Sequence, residues 1–165
     1  MPPVTFTFAT NSIAESSHDA QVVIIPLGPG PNRDTPCTLK SASERGFQLG
    51  LAGDHVMASN HVGPVAVAHT EAKPQGSLGG INPREFRRLT EFMGGIMRPF
   101  DMIWVINRPG LPLDEYKFKG CIATGDWGEE RNSGSLPVTA GEFLITEVYL
   151  NGKNLLRDPS KDSAE

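Results

Sequence analysis

The chain has little cysteine, few aromatic residues and no excess of positive charge. Two of its 165 residues are cysteines, and aromatic residues make up 7% of the total. Cys37 and Cys121 lie far apart in the sequence and neither belongs to a C-x-x-C pair, which excludes the usual zinc-ribbon and thioredoxin motifs. We therefore expect both thiols to be reduced and buried.

Acidic residues outnumber basic ones by 19 to 15, so the formal net charge is −4. A dedicated nucleic-acid-binding protein usually has a basic face, and the charge balance therefore argues against tight binding of DNA. No apolar run approaches the roughly 18 residues that a membrane span requires. Residues 1–7 have neither the charged nor the apolar part of a secretory signal. The sequence predicts a protein of the reducing cytoplasm without a membrane segment.

Glycine and proline are abundant instead, with 18 and 14 residues, and they separate short segments of β-type sequence. Residues 26–36, P-L-G-P-G-P-N-R-D-T-P, favour a projecting loop over a helix or a paired strand. Pro64 restricts its strand to an edge or a bulge. Asn151-Gly152 is the best signal for a tight hairpin turn. Alternating or β-branched residues predict strands over 4–8, 21–25, 46–51, 62–69, 100–106, 115–122, 143–150 and 153–156.

One segment, residues 83–93, predicts an amphipathic α-helix. Asn82 can cap it, Pro83 suits its first position, Glu85 can complete a capping box, and Gly94 follows its end. Hydrophobic residues share one face of this helix, and charged residues occupy the others. We expect the buried face to contain Phe86, Leu89, Met93 and, after the glycines, Met97, and the exposed faces to carry Arg84, Arg87, Arg88 and Glu91.

A length of 165 residues suits a single domain with one substantial core. We assign residues 1–165 to that domain, with an N-terminal arm and first strand over 1–19 and a flexible C-terminal tail over 157–165. One short helix among many strands predicts a mainly β fold, namely an antiparallel β-barrel or a two-sheet sandwich with one flanking α-helix.

The candidate metal ligands are Asp54, His55, His61 and His69, which could bind a divalent cation if the fold brought them together. Their spacing matches neither a helix-borne H-E-x-x-H nor a tight zinc loop. On a straight strand His61 and His69 would lie about 26 Å apart, so they could share a metal only across a sharp turn. We therefore expect no metal site, no cofactor and no catalytic residues.

Three further segments have a functional and a structural interpretation. Residues 76–80, G-S-L-G-G, could hold an anion at the start of the helix, but they lack the K-[ST] ending of a P-loop, and we expect a flexible turn. Residues 133–135, S-G-S, do not meet the G-x-S-x-G pattern of hydrolases. Residues 126–130, D-W-G-E-E, suit an acidic loop that is either a contact surface or a solvated turn.

The order of these elements resembles that of the tail tube proteins of tailed bacteriophages, a family similar to the tube proteins of secretion and contractile-injection machines. The resemblance covers residues 21–156. It is carried by residues 70–93, where a strand marked by Thr70 and a glycine-containing turn precede the helix. It implies two packed antiparallel sheets with a flanking helix, six copies to a ring, and rings stacked into a hollow tube that conducts DNA. The family provides no catalytic residues to carry over.

The acidic composition suits such a conduit, because a wall without excess positive charge does not hold the phosphate backbone of passing DNA. We therefore expect a structural virion protein and not an enzyme. It would assemble in the host cytoplasm into the phage tail and contact other tail proteins such as sheath, baseplate or terminator, with residues 28–36 as the contact between rings. The alternatives are another phage assembly component, such as a head decoration, connector or baseplate protein, and a small metal-dependent enzyme that uses the Asp54 group.

Overall fold

A computed structural model of the chain describes residues 20–42, 44–107, 110–130 and 138–157. The predicted N-terminal arm over 1–19 with its strand over 4–8, the segment 133–135 and the tail beyond Arg157 lie outside these residues. The described elements follow in this order: β1 Ala20–Pro26, β2 Cys37–Leu39, β3 Glu44–Gln48, β4 Leu51–Met57, β5 Pro64–Ala72, β6 Gln75–Ile81, α1 Pro83–Met93, β7 Phe100–Ile106, β8 Asp114–Glu130, β9 Val138–Leu144, β10 Glu147–Leu150 and β11 Lys153–Asn154.

The strands pair antiparallel, and the long strand β8 belongs to two sheets. Its first half pairs with β7 and β10, and its second half pairs with β9. The first sheet runs β2-β1-β7-β8, with β10 and β11 beyond β8, and the second sheet runs β8-β9-β6-β3. Since β2 and β3 end this path without pairing to each other, the described strands form an open sandwich and not a closed barrel. The two-sheet alternative with one helix is confirmed.

The core fills the space between the two sheets and under α1. Its centre is aromatic: the fully buried Phe118 ring meets Trp104 edge-on at 4.6 Å and Phe143 at 6.2 Å. Both cysteines are buried and unpaired, as predicted. Burial raises the pKa of the Cys121 thiol to about 12, and burial also raises that of Cys37. Both thiols are therefore protonated at neutral pH and serve as apolar packing groups.

The helix α1 begins and ends where the sequence predicts. The Asn82 side chain caps its first turn, and Gly94 ends it in the left-handed conformation with φ of 78°. The predicted capping box is wrong, because the Glu85 carboxylate bonds to the segment after β2 and not to the Asn82 N–H. Glu85 accepts hydrogen bonds from the Lys40 backbone and the Ser41 hydroxyl, and Ser41 Oγ accepts from the Asn82 N–H at 2.9 Å. The Ser41 hydroxyl thus joins the start of the helix to the segment after β2.

The predicted buried face of the helix is right for its central residues. Leu89 and Met93 are each 1% exposed. Phe86 is half-buried and stacks on Trp127, with ring centroids 5.8 Å apart. Met97 is 90% exposed, so its placement on this face is wrong. The chain leaves the helix axis at Gly94 and the next glycine, both of which have positive φ.

Residues 76–80 are the clearest correction to the predicted elements. They lie in β6, which pairs with β3 on one side and β9 on the other, and not in a flexible turn. Their glycines allow close approach: a Cβ at Gly76 would collide with the ring of Phe143. Residues 126–130 are likewise the end of strand β8 and not an acidic loop.

Two predicted strands are each divided in the structure. Residues 46–51 span the end of β3 and the start of β4, and residues 143–150 span β9 and β10. The remaining predicted strands among the described residues are confirmed with shifted ends, since β5 covers residues 64–72 and β11 only 153–154. The β10–β11 hairpin turn is confirmed, and Asn151 and Gly152 there have φ of 50° and 82°.

The predicted loop over residues 26–36 is exposed at residues 29–35, but it is held against the C-terminal end of α1. The Arg98 guanidinium donates hydrogen bonds to the carbonyl oxygens of Gly28 and Met93, both at 3.0 Å. Asn32 Nδ2 donates to a carbonyl in the last turn of the helix at 2.9 Å. The expectation of a projecting loop is therefore corrected, because side chains distant in sequence fix it to the body.

Leu89 provides a direct test of the core. Leu89→Ala should lower the free energy of unfolding of the dissociated subunit by about 2–5 kcal/mol, because the fully buried side chain leaves a cavity. Urea denaturation followed by far-UV circular dichroism measures this change. Arg87→Ala, on the exposed face of the same helix, should change it by no more than about 0.5 kcal/mol. Equal effects of the two substitutions would show that the assigned buried face is wrong.

Candidate functional site

The hairpin of β4 and β5, residues 51–72, stands apart from the sandwich. The two strands pair only with each other and form a separate two-stranded sheet. At the base of the hairpin, between the end of β3 and the start of β6, the Lys73 N–H donates to the Gly50 carbonyl at 3.2 Å. Every residue of β5 is exposed. The hairpin thus extends the β3–β6 pair beyond the body of the protein.

The surface of this hairpin is unusually apolar for one that faces solvent. It carries six large hydrophobic side chains that are at least 43% exposed, namely Leu51, Val56, Met57, Val62, Val65 and Val67. A two-stranded hairpin alone is marginally stable in water, and its free edges can pair with further strands. Exposed apolar surface of this kind marks a site of contact with another molecule.

The charges of the hairpin are few and of one sign. Between residues 51 and 72 the sequence contains Asp54 and Glu71 but no lysine or arginine. Lysine on an exposed edge is a common means of preventing unwanted strand pairing, and the hairpin has none, although Pro64 removes one backbone donor at the start of β5. The hairpin is therefore suited to pairing or packing with another protein surface.

The register of β4 and β5 separates the candidate metal ligands. His69 lies opposite Gly53 and His55 lies opposite Val67, so the two histidines share one face of the hairpin. Asp54 follows the alternation to the other face, and His61 lies in the connecting turn. Within the described ranges, no group of three or more His, Cys, Asp or Glu side chains is placed to hold a metal ion.

Two irregularities shape the hairpin. The register shifts between Ala52 and Gly53 and again between Val56 and Met57. Such bulges increase the local twist of a ribbon and turn it relative to the strands that carry it. Pro64 pairs with Met57 beside the second shift, which confirms the predicted edge or bulge position.

Among the described residues, no helix has the length and apolar character needed to cross a membrane.

The sequence predicts β5 but not β4, of which only Leu51 falls in a predicted strand, and it does not reveal that the hairpin stands apart from the body. A run such as V-A-V-A over residues 65–68 also suits a buried strand, and local sequence does not reveal which neighbour a strand will have.

Comparison with solved structures finds a similar fold in protein chains of two large particles. The chain is similar to one in a cryo-EM structure of the anti-feeding prophage baseplate, six-fold symmetrised, with a TM-score of 0.53 and 12% identity over 88% of this chain and 98% of that one. It is also similar to one in the sheath/tube terminator of an extracellular contractile injection system (PVC) in the extended state, with a TM-score of 0.50 and 10% identity over 90% and 99%.

These similarities concern the fold, and they extend over nearly the whole length of each chain. No model of a known protein family matches the sequence, and no protein with curated annotation matches it. The two-sheet sandwich with one flanking helix is therefore an architecture that components of a prophage baseplate and of a contractile injection system also have.

The separation of the histidines from Asp54 leads to a prediction about metal content. Protein purified without chelator and without a metal-affinity step should contain far less than one zinc or iron per chain by elemental analysis, because tight sites need three or four convergent ligands. A content near one metal per chain that disappears in a His55→Ala, His61→Ala variant would contradict this expectation and favour the metal-dependent alternative.

Proposed function

We propose that this chain is a structural subunit of a phage-type tail and that copies of it assemble into stacked rings that form the tail tube. We also propose that the chain acts by assembly and not by catalysis. The observation that carries it is the β4–β5 hairpin, an apolar ribbon that the subunit exposes and does not itself cover.

Association with another copy would bury the apolar side chains of the hairpin and pair its free strand edges. Fully burying one valine, leucine or methionine side chain contributes about 1.5–3 kcal/mol. Several such side chains per subunit, together with hydrogen bonds at free strand edges, offset the entropy lost on association. In a closed ring every subunit contributes one hairpin and receives another, so no edge is left exposed.

The comparisons support the assembly and suggest its symmetry. The baseplate chain belongs to a structure described as six-fold symmetrised, and the second chain belongs to a sheath/tube terminator. We propose six copies to a ring, and as partners the sheath, baseplate or terminator proteins of the same tail. The location that follows is the virion tail, assembled in the cytoplasm of the host.

The charge of the hairpin agrees with a DNA conduit. Binding of DNA phosphates requires lysine or arginine, and the hairpin between residues 51 and 72 contains neither. If the hairpins line the central channel, the wall is apolar and weakly acidic. Passing DNA would then meet no strong electrostatic hold, which is the property that a channel for rapid ejection needs.

A second candidate is a ring that does not stack, as a baseplate or terminator component would form. The two similar structures are of a baseplate and of a sheath/tube terminator, which supports this candidate more directly than it supports a tube. The two candidates differ in the assembled product. A tube subunit should form particles of constant diameter and variable length, whereas a baseplate or terminator component should stop at one ring or a fixed number of rings.

Negative-stain electron microscopy and light scattering of the purified chain test the proposal. We expect rings or tubes of constant diameter. Val67→Asp should weaken or abolish them, because Val67 is 77% exposed in the subunit and would become buried with a charge in the assembly. Far-UV circular dichroism of the variant should match that of the unaltered chain.

Met97→Asp is the matched control, because Met97 is 90% exposed and lies outside the hairpin. It should assemble normally. A second variant, in which an Asn-Gly turn joins Gly50 to Lys73 in place of residues 51–72, should fold but remain a single subunit. An unaltered chain that stays monomeric at all concentrations would contradict the proposed function. So would normal assembly of the variant without the hairpin.

A further inference from the structure

The outer face of the second sheet carries a shallow groove that the proposed role of the hairpin does not use. Two adjoining depressions of about 300 and 370 Å³ lie along β3, β6 and β9 and share Ser77 and Glu142 in their lining. Small residues form the floor, because Gly46 lies opposite Ser77 and Gly79 opposite Glu44 in the paired strands. Such a floor lets another element of structure approach the sheet closely.

Three exposed carboxylates border this surface, which we term the carboxylate groove: Glu44, Asp126 and Glu142. The side chains of Glu44 and Glu142 lie over glycines. A Cβ at Gly79 would come within 2.7 Å of Glu44 Oε2, and one at Gly125 within 3.2 Å of Glu142 Oε2. Within the described ranges, none of the three carboxylates forms an ion pair. Like charges are therefore gathered on one surface, and none of them is paired with a lysine or arginine from the described part of the same subunit.

The complementary charges lie on α1. Arg84, Arg87 and Arg88 are exposed and together form what we term the arginine face, opposite the buried residues of the helix. Arg88 donates a hydrogen bond to the Thr38 carbonyl at 3.0 Å, whereas Arg84 and Arg87 form no ion pair in the part of the chain that the structure describes. Arg84 also lies in the first turn of the helix, where the helix dipole disfavours a positive charge. The stability of the helix itself does not explain these residues.

The two charged surfaces lie on opposite sides of the second sheet. Phe86 of the helix stacks on Trp127, and the Trp127 ring covers Gly141 on the inner side of β9. The neighbours of Gly141 in the strand, Ala140 and Glu142, point to the outer side, because side chains alternate along a strand. The arginine face therefore cannot reach the carboxylate groove of its own subunit.

We propose that the arginine face of one copy of this chain docks into the carboxylate groove of the next copy. This contact rests on the proposed function, since it is a contact between subunits of a ring. It joins two different surfaces, so it is heterologous, and repetition of such a contact closes a ring when the rotation between neighbours permits. Arginine pairs with carboxylate in a bidentate, directional manner, which would fix the orientation of neighbouring subunits.

Charge reversal in both directions tests this pairing. Glu142→Arg and Arg87→Glu should each raise the protein concentration needed for assembly by about tenfold or more, which corresponds to the loss of a single good contact at every interface. Combining both substitutions in one chain should restore assembly. Mixing the two single variants should also restore it, because alternating copies in an even-numbered ring place opposite charges at every contact.

Lys153→Glu serves as the control, since Lys153 is exposed on β11 and belongs to neither surface. It should assemble as the unaltered chain does. Circular dichroism shows whether each variant is folded, and Glu142→Gln with Arg87→Gln repeats the test without introducing repulsion.

Several results would overturn the pairing. If the single variants assemble normally while Val67→Asp does not, this contact is wrong and the proposed function stands. Loss of assembly in the single variants without rescue by the double variant or the mixture shows that the two residues do not pair. Sensitivity to Glu142→Arg alone assigns the groove to a different cationic surface. An unaltered chain that never assembles contradicts both the contact and the proposed function.

Discussion

The architecture depends on the bend of β8 at Gly120, where one strand passes from the first sheet to the second. Gly120 has φ of 62°, and a Cβ there would lie 2.7 Å from Thr146 Oγ1. The Gly120 N–H donates to Asp101 Oδ1 at 2.9 Å, and its carbonyl accepts from Thr146 Oγ1 at 2.9 Å. The neighbouring strand breaks at the same level, between β9 and β10. Both strands therefore turn together, and the sheets fold over one another around Phe118.

This bend determines which surfaces the subunit completes and which it leaves open. The folded sheets bury the aromatic core, and α1 packs against the inner side through Leu89 and Met93. The second sheet then presents its outer face to solvent, and its strands β3 and β6 extend into a hairpin whose two strands pair only with each other. A subunit with a completed core and an incomplete exterior is the expected form of a protein whose final state is an assembly.

Features governed by neighbours in sequence were predictable. The helix was identified with its ends because capping by Asn82 and termination at Gly94 are local properties, and the β10–β11 turn because Asn151 and Gly152 accept positive φ. Features governed by distant residues were not. Glycines in β6 suggested a turn, whereas they make room for Phe143 and Glu44.

In the candidate site, too, the sequence predicts local features better than features that depend on distant residues. The hairpin was predicted only in part, since residues 62–69 match most of β5 whereas residues 52–57 of β4 were not predicted as a strand. Its isolation from the body and the register that places His55 with His69 depend on pairing partners, which no local pattern specifies. The loop over 26–36 was expected to project because its own sequence shows no partner. The residue that fixes it to the body, Arg98, lies far away in the sequence.

Hydrogen exchange measured by mass spectrometry on dissociated and assembled protein tests the central claim, that the β4–β5 hairpin is completed by a neighbouring copy. In the dissociated subunit the amides of residues 51–72 should exchange rapidly, since a lone hairpin is marginally stable, while those of β1 and β7 are protected. In the assembly the hairpin amides should become protected as well. Hairpin amides that exchange equally fast in both forms would contradict the account.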